Sequence, residues 1–417
     1  MTDKHLFIIP THKECISAIE GYLTELISIG SYTNLVFVLL DSSKKEDFCK
    51  NHQKLLEYRR KVSDLSIYHV KQELLDRIII ESLEGNLSEK IINLLVGETF
   101  SYGKMMNRIA IIANLLGCNY IHRRDSDTRP QLFQNMSVSS LEIELKLLGS
   151  YWENKQIFMV GSSYVGDWGI DYSELSDDMN LLKKLFKLSK SNYTEEQLED
   201  YIINKYINGS SDFYHGIDYY SFQQNNYIDA GNYSLYKIFN FIPVNPAINT
   251  SGTDYIYHEL LEIYDYSKLF HNRRVVHEYS KNRYQLIPNN LYNEAKLYSR
   301  LVGIYNKKMC KYVQRKLQEC NDFKNIRQLM IEGYNSLLSI EDMKNEVTKM
   351  ISEFEHTYRE IANKKYDDFL LSFDFNFDKI YENVKLKISN YIILLEHWDS
   401  IVSLTKNNCS LLGNLKI

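Results

Sequence analysis

The chain has 417 residues, of which 44% are hydrophobic and 25% charged, with a formal net charge of -5. Such a length and apolar content support a sizeable core and exclude global disorder. The slight acidity argues against a dedicated nucleic-acid binder, which needs a basic surface. The six cysteines form no Cys-x-x-Cys pair, so neither a zinc cluster nor a disulfide scaffold is indicated, and a reducing cytoplasm is the expected setting. No apolar run reaches membrane-spanning length, and the amino terminus lacks the core of a signal peptide.

In chain order, Leu6 to Pro10 predicts a buried strand that ends in Pro10-Thr-His-Lys-Glu14. Cys15 to Ile29 has helical spacing, and Leu35 to Leu40 predicts a second strand closed by Asp41-Ser42-Ser43. Strand, helix, strand implies a right-handed parallel unit with its loops at the carboxyl ends. Residues 45–98 read as a largely helical insertion with one strand near Leu65 to Val70. Ser101-Tyr-Gly-Lys104 then leads into a helix over 105–116, and Tyr120 to His122 predicts a short strand. Another strand is expected over 157–164, a polar helical excursion or lid over 172–208, and an edge strand within 232–245. From about Leu286 the pattern becomes helical, with runs at 293–317, 323–362 and 377–403, which predicts a carboxyl-terminal bundle.

The only Asp-x-Asp of the chain, Asp125-Ser-Asp127, follows the 120–122 strand. Two carboxylates at i and i+2 on the carboxyl edge of an α/β sheet suit a divalent cation bridging to a diphosphate. Lys104, at a glycine-flanked helix start, can reach a phosphate that also feels the helix amides. Asp374-Phe-Asn-Phe-Asp378 begins like a calcium loop, but Lys379 stands where that loop needs glycine.

These blocks, in this order, resemble the GT-A-type glycosyltransferases, most of all glycosyltransferase family 2, over roughly the first 285 residues. The resemblance implies an α/β, Rossmann-like nucleotide-diphospho-sugar transferase domain (1–285) followed by an all-helical domain (286–417). It places Pro10, Thr11, Glu14 and Asp41 at the nucleotide base and ribose. Lys104, Asn107 and Asp125 would also bind the nucleotide sugar. Arg123 and Arg124 depart from the family, whose strand here is usually apolar, and are expected to pair with the acids or to grip a phosphate or carboxylate of the substrate. Asp125 and Asp127 would hold Mn or Mg, with His277 completing the shell and His271 and Glu278 as competitors. Asp254, in Thr250-Ser-Gly-Thr-Asp254, falls at the family's general base and equally suits a helix cap. Trp168 could stack on an acceptor, although core packing is its more ordinary role.

The expected activity is transfer from a nucleoside diphosphate sugar, with a UDP-sugar favoured, to a saccharide, small-molecule or peptide acceptor, with inversion. Homo-oligomerisation through the carboxyl-terminal helices is allowed. Two rivals remain: a non-catalytic scaffold that keeps the fold, and a nucleotidyltransferase, whose glycine-rich phosphate loop is missing from Pro10 to Glu14.

Overall fold

The computed structural model describes residues 3–30, 34–62, 64–97, 100–152, 154–166, 178–190, 193–222, 228–263, 267–278, 289–317, 322–339, 341–361, 364–408, 411–413 and 416–417. The chain opens with β1 (Lys4–Thr11), α1 (Ile16–Ile29), β2 (Leu35–Asp41), α2 (Lys45–Lys61), β3 (Ser66–Lys71) and α3 (Gln72–Leu83). A short α4 (Glu89–Ile92) precedes α5 (Tyr102–Leu116), which turns at Gly117 into β4 (Cys118–Arg124). Then come β5 (Thr128–Phe133), β6 (Met136–Val138), α6 (Ser140–Leu147), β7 (Tyr151–Trp152), β8 (Lys155–Gly161) and β9 (Tyr164–Gly166). Next are α7 (Met179–Lys187), α8 (Glu195–Ile202), β10 (Tyr220–Ser221), β11 (Asn232–Tyr236), α9 (Ile256–Ile263), β12 (Ser267–His271) and β13 (Val275–His277). The last helices are α10 (Asn289–Lys316), α11 (Phe323–Leu338), α12 (Asp342–Ile361), α13 (Lys364–Ser372) and α14 (Phe377–Lys406).

The main sheet runs β10-β12-β8-β11-β4-β1-β2-β3, with β7 paired to β8. Its β3-β2-β1-β4 half is parallel. β1 and β2 read as almost unbroken apolar runs because helices cover both faces of a parallel sheet. β11 lies antiparallel between β4 and β8, in the middle of the sheet and not at the expected edge. Its broken alternation has a cause: Asn232 and Ser234 are buried and hydrogen-bond inside the protein, to Ser162 at 2.7 Å and Glu144 at 2.6 Å. A second, small sheet runs β6-β5-β13-β9 across the carboxyl ends of the first.

The structure is thus an α/β, Rossmann-like sheet followed by a helical region, as expected. β3, however, is an integral strand of the parallel half, so residues 45–98 contain fold as well as excursion. The expected helix at 323–362 is two, α11 and α12, on either side of residues 339–341. Helices α14, α5 and α3 share one hydrophobic cluster, which runs unbroken from the sheet into the carboxyl-terminal helices. The expected 285/286 boundary and Trp168 lie outside the described residues. So do residues 172–177 of the expected lid; its later part, α7, is tied to α12 by Lys184 and Glu360 at 2.9 Å. Among the described residues no helix is long and apolar enough to cross a membrane.

Candidate active site at the carboxyl edge of the sheet

β4 sends successive side chains to opposite faces, so its two arginines go to different places. Arg124 is fully buried, donates to Glu144 at 2.7 Å and lies against the Phe7 and Tyr22 rings. There it belongs to a core polar cluster in which Glu144 also meets His122 (3.0 Å) and Ser234 (2.6 Å). It grips no phosphate from that position, and it is polar on a family strand that is otherwise apolar because Glu144 awaits it. Arg123 faces the other way. Its guanidinium donates to Asp254 Oδ2 at 2.5 Å and to Asp125 Oδ1 at 3.0 Å. Burial opposes its charge, but Asp125 and Asp254 outweigh burial and raise its proton affinity.

The small sheet assembles the rest. β13 pairs antiparallel with β5, placing His277 opposite Thr128, and parallel with β9, placing Val275 beside Tyr164. Tyr164 consequently donates its hydroxyl to Asp125 Oδ2 at 2.9 Å and packs beside the His277 ring. Burial, then Asp125, raises the Tyr164 pKa far above the ordinary phenol value, which keeps the hydroxyl a donor. Thr128 holds the turn by donating its hydroxyl to the Asp125 carbonyl at 2.7 Å. The Asp127 side chain is 13% accessible, and His277 Nε2 and Lys13 Nζ approach it at 3.7 and 3.9 Å. His271 sits instead in the Glu144 cluster, and Glu278 pairs with Arg129, so His277 is the histidine brought to the acids.

The first two loops pack together through Asn51 of α2, which is fully buried. Its amide donates to Asp41 Oδ2 (2.9 Å) and the Lys13 carbonyl (3.2 Å), and its oxygen accepts from Cys15 N (3.0 Å). Asp41, also fully buried, further accepts from His69 and from Ser43 N. Burial would raise its pKa, but the bonds from His69, Ser43 and Asn51 prevail and hold it below the usual carboxylate value. Thr11 caps its own loop through Lys13, and Glu14 pairs with Lys50 at the surface. Pro10, at the end of β1, pairs with Leu40 of β2. These residues shape the loop that presents Lys13.

The block from Gly103 to Asn107 serves a different purpose from the phosphate binding expected of it. A Cβ on Gly103 would lie 1.7 Å from the Asn245 carbonyl oxygen, so glycine here permits backbone contact. Asn107 clasps Val244 at both backbone groups, each at 2.8 Å. Lys104 is 4% exposed, and its ammonium donates to the Asn93 and Val96 carbonyls at 2.9 and 2.7 Å. Burial, then Arg108, lowers its pKa to about 8. This block pins the segment 243–246 to α5.

Asp254 stands on the short turn 253–255 that enters α9 and is fully buried. Among the described residues its Oδ1 has no hydrogen-bond partner. Asp125, Asp127, His277, Arg123 and Asp254 therefore converge, joined by Lys13, Tyr164 and Gly231. Gly231 leaves room for the Asp125 carboxylate, since a Cβ there would fall 1.9 Å from Oδ2. Lys13 was visible in the first loop, but nothing in its spacing singled it out. Tyr164 and Gly231 reach the site through strand pairing that local sequence does not encode.

As donors for a divalent cation, Asp127 and His277 fit, being close enough to share one ion. Asp125 has each oxygen engaged, by Arg123 and by Tyr164. Among the described residues no three acidic, histidine or cysteine side chains form a closed metal cluster. An ion of the Mg or Mn type nonetheless suits a pair of protein donors, because it completes its shell with water and phosphate oxygens.

A family model matches residues 4–412 of the chain. The chain belongs to DUF6271, a family of unknown function. No curated protein matches this member of the family. Among solved structures it is similar to the mannosyltransferase PcManGT from Pyrobaculum calidifontis in complex with GDP-Man and Mn2+. That alignment has 11% identity and a TM-score of 0.38, and it covers 94% of this chain and 87% of the other. It is also similar to S. aureus TarS 1-349 in complex with UDP-GlcNAc, with 12% identity, a TM-score of 0.36, and coverage of 95% and 92%. Mouse xyloside xylosyltransferase 1 aligns at 10% identity and a TM-score of 0.26, over 64% of this chain and 78% of that one.

Proposed function

We propose that this DUF6271 member is a metal-dependent glycosyltransferase that takes its sugar from a nucleoside diphosphate sugar, a UDP-sugar by preference. One observation carries the reading: Asp127, His277 and Lys13 meet beside Asp125 at the carboxyl edge of β4, where α/β sheets receive ligands. Asp127 and His277 would hold Mn or Mg, and Lys13 is placed to meet the diphosphate. The ion would supply positive charge against the leaving diphosphate. Arg123 and Tyr164 orient Asp125, which then faces the donor sugar or ribose. Lys104, Asn107 and Arg124 drop out of the donor site because their polar groups are satisfied inside the fold.

Asp254 is the candidate base for the acceptor hydroxyl through Oδ1, the oxygen that Arg123 leaves untouched. A base acting opposite the leaving group gives inversion by single displacement. The protein is proposed to work in the cytoplasm.

A thermal-shift screen of nucleoside diphosphates and their sugars, with and without Mn, tests the donor site. A ligand at 100 times its Kd stabilises the folded protein by about 2.7 kcal/mol. One diphosphate should shift the melting temperature only with Mn, and Asp127→Ala should abolish that shift while leaving unliganded stability within about 0.5 kcal/mol. No response to any nucleotide would remove the transferase reading in favour of a non-catalytic scaffold.

A further inference from the structure

A cleft of about 780 Å³ lies beside the Asp254 turn, between α9 and the helices α10 and α12. Gly252, Thr253 and Tyr255 form part of its wall, while Asp254 itself points to Arg123 on the other side. Along α10, the positions Lys296, Arg300, Gly303, Lys307 and Lys311 all line the cleft. Their spacing keeps them on one helix face, a stripe ~22 Å long at 1.5 Å per residue. A Cβ on Gly303 would meet nothing within 4 Å, so the middle of the stripe is open.

Like charges four residues apart weaken a helix, and this stripe has two such steps, Lys296 to Arg300 and Lys307 to Lys311. A charged stripe on a convex surface is ordinarily just solvated; this one faces a concavity. On the opposing wall, Glu346 and Glu353 of α12 are engaged by Lys308 and Lys349. Lys307 and Lys311 have no ion pair within 4 Å among the described residues. The crowding is felt at Lys307, whose pKa is lowered first by burial and then by Lys190, Arg300 and Lys311, against the pull of Glu259.

We propose that this cleft binds a ligand carrying several phosphate groups. This site stands apart from the transferase reading. Three of the four cations are lysines, which meet phosphate as point charges and need no bidentate geometry. The cations form two pairs, each about 6 Å apart along the helix and separated by about 10 Å, which suits a ligand with spaced anionic groups over one with a single charge.

The full-length protein, titrated with inorganic tripolyphosphate by calorimetry at low and high salt, tests the site. Binding should weaken at high salt. The pair Lys307→Glu and Lys311→Glu should weaken it about tenfold or more, equivalent to 1.4 kcal/mol. Arg315→Glu, exposed on α10 and outside the cleft, should leave it unchanged. Should the reversed pair fail to fold, Lys307→Gln with Lys311→Gln serves with the same direction of effect. Equal binding by wild type and the pair, or no binding by wild type, overturns the proposal. The Mn-dependent nucleotide shift reports the donor site separately and should persist in the pair.

Discussion

The Gly103–Asn107 block and the Asp125–Asp127 block sit at the two ends of α5 and β4, and both look like ligand-binding motifs in sequence. In the fold they part company. The first turns its glycine, lysine and asparagine onto protein backbone, with Lys104 and Asn107 all but inaccessible. The second keeps partly accessible carboxylates at an edge where three other elements converge. The difference is one of access: the first block is spent on protein backbone and sealed from solvent, whereas the second stays open to a ligand.

Substitutions can sharpen that contrast. The largest effect is expected in the first block. Gly103→Ala drives a methyl into the Asn245 carbonyl and should destabilise by about 3 kcal/mol or more. Asn107→Ala strands a buried N–H and C=O of Val244 and should cost about 2–4 kcal/mol. Denaturant melts would read both, and nucleotide affinity of the folded fraction should be unchanged; a selective loss of affinity at normal stability would restore this block to the donor site.

Gly231→Ala is the opposite case. Its methyl would fall 1.9 Å from the Asp125 carboxylate and 2.1 Å from the Tyr164 hydroxyl, so these two side chains must shift. Donor binding should fall by roughly tenfold, 1.4 kcal/mol, with a stability change under about 1 kcal/mol. Equal binding in this variant would show that Asp125 needs no fixed orientation.

The smallest effect is a pH dependence. Lys104 titrates at about 8 in the fold, against an ordinary value of 10.5. Between these values the unfolded chain holds the proton and the folded one has released it, so stability rises with pH across that window. Lys104→Met should remove the rise in melting profiles. A slope that survives the substitution would mean that another group causes it.

The parallel half of the sheet was legible because its strands are continuous apolar runs bounded by loops. The long helices were legible by their periodicity. β11 was misplaced because its polar residues serve a buried network formed with α6, far away in sequence. In the site, Asp125, Asp127, His277 and Asp254 were readable as residue types at strand and helix ends. Lys13, Tyr164 and Gly231 were not, since their roles depend on how β9, β13 and the first loop meet. Arg124 misled for the same reason: a charge on a core strand is interpretable only once its partner is known.

Residues 239–248 connect these themes in a way that contacts alone do not convey. Trp398 and Tyr391 donate to the Phe239 and Pro243 carbonyls, at 3.0 and 2.9 Å. Arg327 and Lys387 reach the carbonyls of Phe241 and Ile248, while Asn107 grips Val244 from the sheet side. The segment is a rail bolted to both halves of the molecule, and it runs straight into the turn that carries Asp254. The position of that turn is therefore fixed jointly by the sheet and by the terminal helices.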